Sequence, residues 1–252
     1  QVSLFNKTTL GGYGELHYNA LNDQKGTSDT DKIDFHRFVL FVNHEYSDNL
    51  RFVSELELEH SIAGEGKAGE IELEQAYIQY DLTDKTSISA GLFIIPVGIM
   101  NETHEPPTFY GVERNPVEKN IVPATWWEGG AMVTHEITDG LTLDLAGHSG
   151  LKATTGKFKP RDGRQKVGNA KAKTGALTTR LKYTAIPGLE LAATINYQED
   201  FGQELLDNVG SATLYEAHAV YNYDQFSLRA LGAWWDIDGS AVSDVSNDKQ
   251  YG

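Results

Sequence analysis

The chain has 252 residues, 40% of them hydrophobic, so it can bury a large core and is not expected to be disordered. Its net charge of −15 argues against nucleic-acid binding, which needs a basic face. It contains no cysteine, which excludes a disulfide framework, thiol catalysis and thiolate metal sites.

No run of apolar residues approaches the roughly 18–20 that a transmembrane helix requires. The chain starts at Gln1, with no methionine or signal peptide before it, which predicts a processed or excised chain. Its hydrophobic residues mostly recur with a period of two, which is typical of β-strands whose two faces differ in polarity.

This alternation predicts about eleven β-strands, separated by Gly, Asp, Asn and Ser residues. In the second strand, for example, Phe38 and Leu40 share one face, while Arg37 and Glu45 share the other. In chain order the predicted strands are residues 10–21, 37–46, 50–60, 76–82, 87–95, 130–137, 141–149, 176–185, 189–198, 213–223 and 226–235.

The connections between these strands alternate in length. Tight turns cover residues 46–49, 82–85, 137–140, 185–188 and 223–225, and long loops cover 22–32, 61–69, 97–128, 150–174 and 199–212. Because consecutive antiparallel strands turn at opposite ends, the tight turns gather at one rim and the long loops at the other, as in outer-membrane barrels. Strands of roughly 9–11 residues are also long enough to cross a bilayer.

We therefore predict an all-β fold, a transmembrane antiparallel up-and-down β-barrel that forms one domain over residues 1–252. A proline-rich loop at 97–128 and a basic loop at 150–174 interrupt it. A soluble β-sandwich would also alternate, but its strands would be shorter, near about 5–6 residues. Charged faces that suit a wet lumen, and Tyr and Trp near the strand ends, also favour the barrel. The residues predicted to face lipid are Leu40, Val42, Leu56, Leu58, Leu143, Leu191 and Ile195.

Two short stretches carry residues of chemical interest. Glu102, His104 and Glu105 offer metal ligands, but the sequence has neither H-E-x-x-H nor two histidines four residues apart. The stretch GHSG at 147–150 is one residue short of G-x-S-x-G and lies at a strand end. We predict no catalytic residue, no metal site and no cofactor.

Three linked motifs follow one another between Gly91 and Gly130. A strand ends in G-x-F-x-x-P-x-G, a loop of the N-E-x-H-E-P type follows, and P-x-x-W-x-E-x-G opens the next strand. The residues concerned are Gly91, Phe93, Pro96, Gly98, Asn101, Glu102, His104, Glu105, Pro106, Pro123, Trp126, Glu128 and Gly130. Together with the opening GGYGELHYN, these motifs resemble the Gram-negative outer-membrane porins grouped with the phosphate-selective O/P-type family.

The resemblance implies a water-filled barrel in the outer membrane of a Gram-negative bacterium, commonly a homotrimer, with loop 97–128 folded inward as a constriction. Its function would be passive diffusion of ions and small hydrophilic solutes, with no enzymatic activity. Its partners would be outer-membrane lipid, lipopolysaccharide and the solutes, and not nucleic acid. A soluble β-rich binding protein and, less favoured, a barrel hydrolase using His148 or Ser149 are the alternatives.

Two features depart from the family pattern. Phosphate channels of this family carry Arg and Lys in the lumen, whereas the inward residues of the first three strands here are largely acidic, so phosphate selectivity is not expected to carry over. The chain also ends in a polar stretch, and an odd strand number conflicts with the even number of bacterial barrels. We therefore expect missing C-terminal strands and about 12–18 strands in the complete barrel.

The inward faces and the proline-rich loop supply the candidate site residues. Inward acids, which also include Glu15, Asp144 and Glu190, outnumber inward bases, which predicts a weak cation preference. Ten of the 21 Lys and Arg residues lie between Lys152 and Lys182, and the basic loop among them would oppose that preference if it folded into the pore. The pore-lining candidates are Arg37, Glu45, Arg51, Glu55, Glu57, Glu59, Arg180, Lys182, Glu216 and Arg229. The constriction-loop candidates are Glu102, His104, Glu105, Glu113, Arg114, Glu118 and Lys119.

Overall fold

The structure, a computed structural model, describes residues 7–21, 30–153, 158–205, 209–238 and 249–252. Parts of three predicted long loops, residues 22–29, 154–157 and 206–208, lie outside the described residues. The strands are β1 (Thr8–Leu21), β2 (Thr30–Glu45), β3 (Leu50–Glu59), β4 (Ile71–Thr83), β5 (Thr86–Ile94), β6 (Trp127–Thr138), β7 (Leu141–His148), β8 (Ala176–Tyr183), β9 (Leu189–Gln198), β10 (Ala212–Tyr223), β11 (Phe226–Ile237) and β12 (Lys249–Tyr251).

The fold is all-β, antiparallel and up-and-down, as predicted. Each strand is hydrogen-bonded to the next one in the chain, from β1 to β12. All eleven predicted strands are present, and the described residues add a short twelfth one. By the density of its internal contacts the chain divides into two compact units, Gln1–Ile78 and Gln79–Gly252. The single domain predicted over 1–252 stays a prediction.

The helical elements that the structure describes in the loops are short. The one α-helix of the described residues, α1 (Pro116–Asn120), lies in the proline-rich loop, and 3₁₀ turns occupy Pro106–Thr108 and Pro160–Gly163. Within the described ranges no helix has the length and apolar character needed to cross a membrane.

Two strands begin at least five residues earlier than the sequence pattern indicates, both in the first unit. The sequence places the start of the second strand at residue 37, but β2 begins at Thr30, because a β-bulge interrupts its alternation. Glu15 is paired with Arg37 while the next residue, Leu16, is paired with Phe35. Before the bulge the outward residues of β2 are odd-numbered, and Ile33 and Phe35 are 73% and 38% exposed. Beyond the bulge the outward residues are even-numbered.

The fourth strand also starts early, at Ile71 instead of residue 76. Its first residues place Ile71 and Leu73 on an exposed face, while Glu72 and Glu74 are buried. This arrangement reverses the polarity of a soluble protein, where large apolar side chains are mostly buried and charged ones mostly exposed.

The same reversed polarity runs along β8 and β9 in the second unit. Leu181 and Ile195 are 45% and 50% exposed, whereas Arg180 and Asn196 are 3% and 1% exposed. We call these two sides of the sheet the apolar face and the polar face. An apolar outer surface with a polar interior is the pattern of a barrel that lies in lipid.

Of the residues predicted to face lipid, Leu40, Leu56, Leu191 and Ile195 are exposed, and Val42, Leu58 and Leu143 are half-buried. Their contact with lipid stays a prediction.

Neighbouring residues should therefore differ in their access to water, and single cysteines can report this because the native chain has none. In protein reconstituted into lipid vesicles, Lys182→Cys and Glu190→Cys on the polar face should react with a small water-soluble thiol reagent. Leu181→Cys and Leu191→Cys, each one residue away on the apolar face, should stay unlabelled. Equal labelling within each pair would contradict the assignment of the two faces.

Candidate functional site

The proline-rich loop leaves β5 at Ile95 and returns to β6 at Trp126, and one buried side chain joins its two ends. The Asn101 amide nitrogen donates to the carbonyl oxygens of Ile95 and Trp126, at 2.8 and 2.9 Å. The Asn101 carbonyl oxygen accepts from the Trp126 backbone N–H at 2.6 Å. Asn101 is fully buried, so these three bonds satisfy a buried polar group and hold the loop closed.

Inside the loop, α1 is held by its own capping residues. The Asn115 side chain accepts from the Glu118 backbone N–H at 3.0 Å, which is an N-cap bond. The Glu118 carboxylate accepts from the backbone N–H groups of Ile99 and Met100 and from the Asn115 amide. Because Glu118 is 1% exposed, its carboxylate binds N–H groups inside the loop and does not face solvent.

The interior of the loop is otherwise apolar and includes His104. Ile95, Val97 and Val122 are fully buried. The His104 ring is 1% exposed, and its Nδ1 lies 3.1 Å from the Asn101 carbonyl oxygen, to which it donates. The loop is therefore an ordered structure with a core of its own, as its proline content predicts.

An ion-pair network joins the loop to the polar face of the second unit. The Arg180 guanidinium of β8 is paired with Asp144 of β7, with Nε and Nη2 each 2.8 Å from Oδ2. The same guanidinium donates to both carboxylate oxygens of Glu102 in the loop. Although burial alone would raise the pKa of the Glu102 carboxyl, the charge and hydrogen bonds of Arg180 outweigh this and hold the pKa below its ordinary value of 4.5.

Further bonds attach the loop to β9 and β11. The Arg229 Nη1 donates to the Thr108 carbonyl oxygen at 2.8 Å, and the guanidinium lies 4.4 Å from the centre of the Tyr110 ring. The Trp235 indole N–H donates to the Ile121 carbonyl oxygen at 2.7 Å. On β9, the Thr194 hydroxyl donates to the Pro96 carbonyl oxygen at 3.4 Å. The loop thus lies on the polar face of β8, β9 and β11.

The basic loop contributes two arginines that hold the proline-rich loop. Arg161 donates to the carbonyl oxygens of Lys119 and Ala124, and Arg164 donates to that of Thr125. The guanidinium of Arg164 also lies 5.9 Å from the centre of the Trp127 ring. The guanidinium groups of Arg161 and Arg164 therefore bind main-chain oxygens of the proline-rich loop just before β6 begins.

The remaining loop candidates differ in exposure. Glu113 forms an exposed ion pair with Lys119 at 3.6 Å, and the side chain of Glu105 is half-buried. Arg114 donates to the carbonyl oxygens of Ala124 and His104.

The pore-lining candidates of the first unit lie on its polar face. Arg37 is buried, and its guanidinium is paired with Glu15 at 2.9 Å and with Glu57 at 3.6 Å. Glu55 is fully buried and accepts from the Gln75 amide at 2.6 Å. Other candidates form directly opposed pairs of β2 and β3, Glu45 with Arg51 and Arg37 with Glu59.

In the second unit, Glu216 lies 2.7 Å from Nδ1 of His218, whose Nε2 lies 3.2 Å from Glu190. Lys182 is half-buried near the end of β8.

The geometry does not assemble a Ser–His pair. The Ser149 hydroxyl donates to Glu128, while the His148 ring lies against Thr178 and Asn196, with Nε2 at 2.8 and 3.2 Å from their polar atoms. His148 and Ser149 therefore have separate partners within the described structure.

Sequence reasoning missed the anchoring roles of Asn101, Thr108, Arg161 and Arg164. Asn101 belongs to the family motif, but its three bonds join residues far apart in sequence. The one available signal is chemical. A proline-rich loop has fewer N–H donors than carbonyl acceptors, so the acceptors need donors from elsewhere, and the basic loop is rich in them.

An up-and-down antiparallel sheet with an apolar outer face and a polar inner face defines the class of outer-membrane barrels. The chain can be superposed on the outer membrane channel DcaP of Acinetobacter baumannii with a TM-score of 0.57, at 13% identity, over 96% of this chain and 67% of that one. This likeness shows the barrel fold.

The family model "Phosphate-selective porin O and P" matches residues 11–186, and the chain belongs to that family. The predicted resemblance is confirmed, and with it the location in the outer membrane of a Gram-negative bacterium. Family and fold point to a channel rather than an enzyme.

An uncharacterized protein of Aquifex aeolicus (strain VF5) is 35% identical over 236 residues, which are 90% of this chain and 52% of that protein. The chain thus spans about half the length of this relative.

Loss of the Asn101 bonds should open the base of the loop. Asn101→Ala leaves the buried Trp126 N–H without its partner and removes one of the two donors from each of the Ile95 and Trp126 carbonyl oxygens, and we expect a loss of about 2–4 kcal/mol in the free energy of unfolding. Urea unfolding in detergent micelles measures it. Asn120→Ala is the matched control, since the half-buried Asn120 side chain makes a single bond within α1 and its loss should cost about 0.5 kcal/mol or less. Equal stability of Asn101→Ala and the native chain would refute the clamp.

The Glu102–Arg180 pair should show a distinct pH dependence. A carboxyl whose pKa is lowered in the folded state stabilises that state above the ordinary pKa, and the contribution is lost as the pH falls through the lowered value. Because Glu102 is 39% exposed, we expect Glu102→Gln to cost only about 1 kcal/mol at neutral pH. The difference should disappear well below pH 4.5. Glu105→Gln in the same loop is the control, and a pH-independent effect of Glu102→Gln would contradict the assignment.

Proposed function

We propose that the protein forms a water-filled channel for passive diffusion of ions and small hydrophilic solutes, and that loop 97–128 is its constriction. The observation that carries the proposal is the Glu102–Arg180–Asp144 network, which holds the loop against the polar face of the second unit. A loop held on the face that meets water narrows the space available to solutes.

A cavity beside the loop supports a solute path. It measures about 400 Å³ and is lined by residues of the loop, such as Thr103 and Thr108, and of the sheet, such as Thr184, Glu190 and Arg229. Hydroxyl and charged groups of this kind replace part of the hydration shell of a passing ion or hydrophilic solute.

The charges of the loop and the wall favour cations. Arg180 is shared by two carboxylates, so the network keeps a net negative charge. Glu102 and Glu113 keep exposed carboxylates, whereas the carboxylate of Glu118 is buried and does not contribute. Arg161 and Arg164 donate guanidinium N–H groups to carbonyl oxygens of the loop, so fewer of their donors are available to bind an anion.

Phosphate is a weaker candidate solute despite the family's name. A phosphate ion would need Arg180 as its strongest ligand, and both sides of that guanidinium are already occupied by carboxylates. Displacing either carboxylate would leave a buried or half-buried negative charge without its partner. The predicted homotrimer and the contacts with lipid and lipopolysaccharide stay predictions.

The test is conductance in planar bilayers with purified protein. At about 0.01 M salt, where charges act over about 30 Å, reversal potentials should indicate cation preference, and at about 1 M salt the preference should largely vanish. Glu102→Gln should weaken the preference. Asp139→Asn, an equal charge change in the fully exposed turn between β6 and β7, should leave it unchanged.

Two results would overturn the proposal. No conductance from folded protein would reject the channel. A clear anion preference that disappears on deletion of residues 152–173 would show that the basic loop determines selectivity and that the assignment to Glu102 is wrong.

A further inference from the structure

Three of the eight histidines of the chain meet in the first unit, where His17 lies in the second half of β1, His36 in the first half of β2 and His60 directly after β3. His17 of β1 lies directly opposite Asp34 of β2. His60 follows β3 and donates its backbone N–H to the His36 carbonyl oxygen at 3.2 Å. The strand register therefore brings together His17, the pair Asp34 and His36, and His60, from three segments that are widely separated in sequence.

The β-bulge in β2 gives this cluster its composition. In regular alternation, His36 and Arg37 would point to opposite sides of the sheet. Because the register shifts between Glu15 and Leu16, both side chains lie on the polar face, together with Asp34. Bulges re-aim side chains in this way and occur frequently beside functional sites.

The side chains converge on one carboxylate. Nδ1 of His60 lies 2.8 and 2.9 Å from the two oxygens of Asp34, and Nδ1 of His36 lies 3.3 Å from one of them. The ligand atoms of Asp34, His36 and His60 all lie within 4.8 Å of one another. The His17 ring stacks on that of His36 with centroids 4.5 Å apart, and its Nε2 is bound to Glu15, so His17 supports the orientation of His36.

We propose that Asp34, His36 and His60 bind a divalent transition-metal ion such as Zn²⁺, Ni²⁺ or Cu²⁺. Zn²⁺ binds imidazole nitrogens and carboxylate oxygens at about 2.0–2.2 Å, so ligand atoms around one ion lie about 3–3.5 Å apart. The observed separations bracket this spacing, and an ion between the groups would replace the hydrogen bonds of Asp34. Two imidazoles select such ions over Mg²⁺ and Ca²⁺, which prefer oxygen ligands.

The surroundings fit an exchangeable site. The side chains of Asp34, His36 and His60 are 28%, 29% and 34% exposed, so water and ions reach them. Three protein ligands leave a coordination position open to water, in contrast to the closed four-ligand set of structural zinc. The carboxylates of Glu59, Glu70 and Glu72, which gather close by in the same unit, would raise the local concentration of cations.

Calorimetric titration of the purified chain in detergent with Zn²⁺ tests the site. We expect saturable binding of one ion, an at least tenfold weaker affinity in both His60→Gln and His36→Gln, and no competition from excess Mg²⁺. His44→Gln is the matched control, because His44 lies further along β2 and is bonded to Thr8 instead of Asp34. Its affinity for Zn²⁺ should equal that of the native chain.

A second measurement needs no variant. Electron paramagnetic resonance of the native chain with one equivalent of Cu²⁺ should show coupling to two imidazole nitrogens. No saturable Zn²⁺ binding, binding that survives both substitutions, or a Cu²⁺ spectrum without nitrogen coupling would overturn the proposal. Neither experiment depends on conductance, so the metal site and the channel can fail independently.

Discussion

A polypeptide that crosses lipid must satisfy every backbone N–H and C=O group within itself, and the other features of this structure depend on that constraint. Long antiparallel strands, each paired with the next, meet it by placing the hydrogen bonds between neighbours. Side chains then alternate strictly between two environments. The result is an outer face of Leu, Ile and aromatic residues, and an inner face that accommodates most of the charged residues of the strands.

On the polar face, charged residues are accommodated because opposite charges on neighbouring strands form pairs. Asp144 and Arg180 are register partners of β7 and β8, and Glu15 and Arg37 are partners of β1 and β2. A buried arginine without a partner is strongly destabilising, whereas one between two carboxylates is satisfied. Arg180 obtains its second carboxylate from the loop, so the docking of Glu102 completes a network that the strand register begins.

The regular part of the structure could be predicted from sequence, because the period of two is a local signal. Departures from it could not. The bulge at His36 changes which side chains share a face, and the single sequence shows only that the alternation fails between Phe35 and Phe38. The charged residues at Ile71–Glu74 likewise suggest a polar loop, because the sequence alone does not show that the inner face of the sheet is charged. The loop contacts depend on residues such as Arg161 and Trp235, which no local pattern links to residues 97–128.

The position of the proline-rich loop depends mainly on its main chain, whereas its charge depends on its side chains. Side chains of the loop reach the sheet at Glu102 and at Tyr110, whose hydroxyl is bonded to Ser227 of β11, but five other side chains donate to main-chain carbonyl oxygens of the proline-rich segment. The donors are Thr194, Arg229, Trp235, Arg161 and Arg164. Proline explains this choice of acceptor, since it removes N–H donors and leaves carbonyls that no regular ladder uses. Main-chain acceptors survive substitution of the side chain. Loop positions such as the half-buried Glu105 and the exposed Glu113 can therefore change charge while the loop keeps its place, and the selectivity of such a channel can vary without loss of the fold.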